Sequence, residues 1–65
     1  MNIADSAWAL FDAHRSGKAP LSRQAGSFCG QCAVDPQPLT EKQARWFGKL
    51  LERAELPQIE EAAND

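Results

Sequence analysis

Sixty-five residues suffice for one small domain and exclude a multi-domain enzyme. Hydrophobic residues at 43% and charged residues at 25% are the proportions of an ordinary folded domain rather than a disordered chain. The net charge of −2 is unlike that of dedicated nucleic-acid-binding domains, which are basic overall, but it divides into a mildly basic body, residues 18–53, and an acidic end, residues 54–65.

Residues 1–17 read as a first helix. Ile3, Ala7, Leu10, Phe11 and His14 recur on one helical face, Asn2 or Asp5 can cap the start, and Ser16-Gly17 supply a stop. Trp8 falls one residue off that face, at the edge of the core or exposed. An internal repeat follows. Pro20–Ala33 aligns without a gap on Pro38–Leu51 at an offset of 18, pairing Leu21 with Leu39, Ser22 with Thr40, Phe28 with Trp46 and Gly30 with Gly48. Each copy opens with a hydroxyl that can accept from the free N–H groups of a first helical turn, and the second adds Gln43 for a capping box.

The second helix is expected over about residues 23–33, burying Ala25, Phe28, Cys29, Cys32 and Ala33, with the two prolines of 35–38 breaking the chain after it. The third is expected over about 41–55, burying Ala44, Phe47, Leu50, Leu51 and Ala54, and ended by Leu56-Pro57. No segment alternates like a strand. The predicted product is an all-α domain of three helices over residues 1–57, packed around Phe11, Phe28, Phe47 and the leucines. An acidic tail with little to bury, residues 58–65, is expected to be disordered. The chain has no apolar run of membrane-spanning length and no basic-then-apolar leader pattern, so the expected location is the cytoplasm, with no membrane partner.

Few residues suggest chemistry. Cys29 and Cys32, three apart on a helix, have the spacing of a redox dithiol or of half a zinc site that a homodimer would complete. The repeat offers a third reading, because the offset of 18 puts Cys29 where Phe47 stands and Cys32 where Leu50 stands, which makes them core thiols. His14, the only histidine, reads as a cation complementing the end of the first helix. No nucleophile–base arrangement, paired acid and base or phosphate loop can be assembled, so no catalytic residue, cofactor or metal site within one chain is expected.

The third helix carries the candidate binding site. With Lys42 at 0°, Arg45 falls near 300°, Lys49 near 340° and Arg53 near 20°, so four cations share a stripe about 80° wide. Trp46, near 40°, stands between that stripe and the apolar face, where its ring could meet an apolar group or a base while the cations meet carboxylate or phosphate. The stripe also has the pattern of a plain solvated face, with Glu41 four residues before Arg45.

Leu39, Thr40, Lys42, Gln43, Trp46, Lys49 and Leu50, within a stretch of about 38 residues from Pro20 to Pro57, resemble a helical module of small phage and prophage proteins of DNA metabolism. The resemblance implies an accessory protein that binds DNA or a DNA-handling protein. The leading expectation is therefore a non-enzymatic module that docks on a protein partner of the nucleic-acid machinery through Lys42, Arg45, Trp46, Lys49 and Arg53. The alternatives are direct DNA or RNA binding by the same basic stripe, with the acidic tail competing for it, and a zinc-bridged homodimer through Cys29 and Cys32.

Overall fold

The computed structural model describes residues 2–59. The chain is all-α, with α1 at Ile3–Arg15, α2 at Arg23–Val34 and α3 at Glu41–Arg53, and no strand among the described residues. Each helix starts where a short polar side chain can accept from a free first-turn N–H. Asn2 Oδ1 accepts from Asp5 N at 2.7 Å and Ser22 Oγ from Ala25 N at 3.1 Å. Thr40 Oγ1 accepts from Gln43 N at 3.1 Å while Gln43 Oε1 accepts from Thr40 N at 3.0 Å, completing the capping box the sequence predicts. The α2 and α3 caps stand 18 residues apart in the same extended backbone conformation.

Both ends of α1 and the C-terminal end of α3 fall inside the sequence-predicted bounds. At the end of α1, Gly17 turns the chain with φ +83°, and Ala19 N–H returns to the Ala13 carbonyl at 3.2 Å. α3 stops at Arg53 because Glu55 takes a left-handed backbone, φ 59°. Glu55 N–H then donates to Glu52 O at 3.0 Å and Leu56 N–H to Leu51 O at 2.9 Å, the paired bonds of a Schellman cap.

α1 packs closely along α2, and the residues that allow this are small: Ala7 and Ala13 with Leu10 on one side, Ala25, Cys29 and Cys32 on the other. The face of α1 is consequently rotated from the expected one. Ser6 and Ala13 are buried, Phe11 is half-buried against Gly30 and His14 is exposed. His14 Nδ1 accepts the Leu21 N–H at 2.9 Å, which ties the end of α1 to the connection that follows it. Of the three phenylalanines expected in the core, only Phe47 is fully buried, because the close α1–α2 contact leaves room for rings only along its edges.

α3 adds Phe47, Leu50 and Leu51 to the core and its C-cap Ala54 joins them, while Ala44 is only half-buried. Packed chain continues past Pro57. Ile59 is buried, and Gln58 Nε2 donates to the Gly48 carbonyl at 3.1 Å. Of the predicted tail 58–65, these two residues belong to the packed body, and residues 60–65 lie outside the described residues.

Candidate binding face on the third helix

Lys42, Arg45, Lys49 and Arg53 are all exposed on the outward face of α3, as the helical spacing predicts. Arg45 Nη2 lies 3.6 Å from Glu41 Oε2, with both side chains largely in solvent, so that pair holds Arg45 only weakly. Lys42, Lys49 and Arg53 form no ion pair among the described residues.

Trp46 supplies the apolar part of the face and is 39% exposed. Its ring stacks on Phe28 of α2, with centroids 4.6 Å apart and planes within 4°. Phe28 in turn meets the buried Phe47 edge to face, centroids 5.9 Å apart. One face of Trp46 is thus covered by a ring that is itself braced on the core, an arrangement that fixes the indole at the surface. A shallow hollow of ≈ 610 Å³ lined by Thr40, Glu41, Lys42, Arg45, Trp46 and Lys49 opens beside it. Arg53 shares the stripe but not the hollow, since it stands one turn beyond Lys49. A second groove of ≈ 680 Å³ runs between α2 and the 35–40 connection, where Phe28, Cys32 and Leu39 contribute to its walls.

Sequence spacing located every residue of this face except Phe28, which it assigned to the core. No spacing within one helix signals it, because the Phe28–Trp46 stack joins two different helices.

The two cysteines are placed for packing. Cys29 is completely buried and Cys32 nearly so, both as free thiols, on the same face as Ala25. Burial, with Cys32 close by, pushes the Cys29 thiol up to about 11, and burial raises Cys32 as well. Both thiols therefore favour the protonated form at neutral pH, which makes them poor redox nucleophiles. Cys29 is closed off inside the α1–α2 contact, while Cys32 also borders the groove between α2 and the 35–40 connection. No cluster of three or more metal-ligating side chains occurs among the described residues. No described helix is long and apolar enough to cross a membrane.

No protein-family model, curated protein or solved structure matches this chain. Its functional reading rests on the α3 face itself.

Proposed function

We propose that this protein is a non-enzymatic helical module that docks on a protein partner of the nucleic-acid machinery through Lys42, Arg45, Trp46, Lys49 and Arg53. The observation that carries the proposal is the Phe28–Trp46 stack: an aromatic ring held at the surface within a row of cations. Tryptophan and arginine are enriched among the residues that dominate binding energy, and a ring braced beforehand loses little freedom when a partner covers it. The phage-type resemblance of the α3 segment supports an accessory role in DNA metabolism.

The test is photo-crosslinking. A photoreactive phenylalanine at position 46 or 49, irradiated in a bacterial lysate, is expected to give one dominant protein adduct that unlabelled protein displaces and the Lys49→Glu variant does not. Equal displacement by Lys49→Glu would place the contact elsewhere.

The same face favours a second reading, direct binding of DNA or RNA, because Trp46 has an open edge for a base and Lys42 and Lys49 stand ready for phosphate. Four phosphate contacts predict a log–log salt slope of roughly −3 to −4 in titrations of labelled single- or double-stranded DNA. A comparison chain lacking the acidic end should stop at Ile59, which preserves the packed body, and should bind more tightly if residues 60–65 compete for the stripe.

A further inference from the structure

Resting on the docking reading above, the geometry points to the chemistry of the partner: an acidic amphipathic helix that seats one apolar side chain on Trp46 and places carboxylates against Lys42 and Lys49. Lys42 and Lys49 are seven residues apart, which is two turns and about 10.5 Å along the α3 axis, and Trp46 lies between them. A helix laid along α3 reproduces that spacing with acids at i and i+7 and an apolar residue at i+3 or i+4. The hollow beside Trp46 is shallow and open, so it accepts a side chain from such a helix rather than an enclosed small molecule.

Charge selects this partner over a nucleic acid. Of the cations around the hollow, Lys42 and Lys49 form no ion pair among the described residues and Arg45 is only weakly engaged by Glu41, so the positive charge open to a ligand there is confined to two turns of α3. Glu41 and Glu52 flank the stripe on the side of Arg45, so a continuous polyanion laid along it meets carboxylates beside the cations. A short segment with two well-placed acids fits between those limits; a continuous phosphate backbone does not.

The test uses the full chain with Trp8→Phe, which leaves Trp46 as the only fluorophore. Three probes are titrated: an N-acetylated 18-residue helical peptide with Glu at i and i+7 and Leu at i+4 in an Ala/Gln background, the same peptide with both Glu replaced by Gln, and a twelve-residue oligo-dT. The acidic peptide is expected to shift Trp46 emission to the blue and to bind roughly fivefold or more tightly than its Gln version. That advantage should shrink on adding salt and vanish in Lys42→Gln/Lys49→Gln. Equal binding of the two peptides overturns the proposal, as does oligo-dT responding at lower concentration than the acidic peptide, which would make nucleic acid the ligand. Silence with all three probes also overturns it, while the crosslinks from position 46 separately decide whether α3 docks on a protein at all.

Discussion

The α1–α2 contact and the seating of α3 solve the same problem with opposite materials. α1 and α2 approach closely because the buried residues between them are alanines, cysteines and Ser6, with Leu10 as the one large side chain that is fully buried there and Phe11 at the edge against Gly30. α3 stands further off and is joined by large groups: Phe47 driven into the core, Phe28 and Trp46 stacked along the edge. Small residues give a tight and chemically inert pair. Aromatic residues give a joint that continues to the surface, and the candidate binding face lies at its outer end. Surface presentation of Trp46 is therefore a by-product of how α3 is anchored, since removing the anchor and removing the site touch neighbouring rings.

The largest expected effect separates anchor from site. Phe47→Ala should cost about 3–4 kcal/mol, enough to unfold most of so small a domain, because it empties the centre of the core. Phe28→Ala, at a half-buried ring, should cost about 1–2 kcal/mol and leave a folded protein whose Trp46 has lost its brace. Urea unfolding followed by circular dichroism measures both. Equal costs would mean that the seam is as much core as Phe47 is, and the division between anchor and site would collapse.

The α1–α2 side has a pH signature of its own. The Cys29 thiol ionises near 11 in the folded chain, above its ordinary value, so the folded state holds the proton more tightly than the unfolded state does. The corresponding stability is fully present at neutral pH and is lost as pH rises from the unfolded value toward 11, by up to ~2 kcal/mol. Urea midpoints at pH 7 and pH 10 should therefore diverge more for the natural chain than for Cys29→Ala. Identical divergence would mean that the thiol reaches solvent and that the close contact opens readily.

How much of this arrangement was legible in the sequence depends on the range of the interaction. Helix starts were readable because a cap is a local event: Ser22 and Thr40 each act on an N–H three residues away. The burial of the cysteines was readable because the repeat places Cys29 on Phe47 and Cys32 on Leu50, and all four positions are buried. The face of α1 was misjudged by about one position, since hydrophobicity favours Phe11 and His14 whereas close helix approach selects Ser6 and Ala13. Phe28 against Trp46, and Ile59 in the core, are contacts between distant segments that no periodicity encodes. All five candidate site residues needed only the helical period; which of them border the hollow needed the fold.

Ser6 gives a smaller effect on the same close side. Its hydroxyl is wholly buried and has no hydrogen-bond partner, so folding removes it from water without compensation. Ser6→Ala should stabilise the domain by about 1–2 kcal/mol, visible as a higher urea midpoint at unchanged slope. Destabilisation instead would show that the hydroxyl is bonded in solution and that the α1 packing leaves room for water.

The smallest expected effect concerns how α3 is released into the segment that carries Ile59. Glu55 holds a left-handed backbone, φ 59°, at the position of a Schellman cap where glycine is usual, and its side chain crowds its own carbonyl there. The Lys18–Glu55 contact, 3.4 Å between side chains 52% and 77% exposed, offsets little of this. Glu55→Gly should therefore raise stability by about 0.5–1 kcal/mol, with part of the relief returned as added freedom of the unfolded chain. Glu55→Asn, which tolerates the same backbone, should fall between, and Glu55→Gln should stay near the natural chain because it removes the charge and keeps the strain. Were Glu55→Gln to match Glu55→Gly in thermal melts, the carboxylate and not the backbone would be the burden at this turn. The acidic flank of α3 would then cost stability in the free protein, and a partner supplying a cation to Glu52 and Glu55 would be favoured over the acidic helix argued for Trp46.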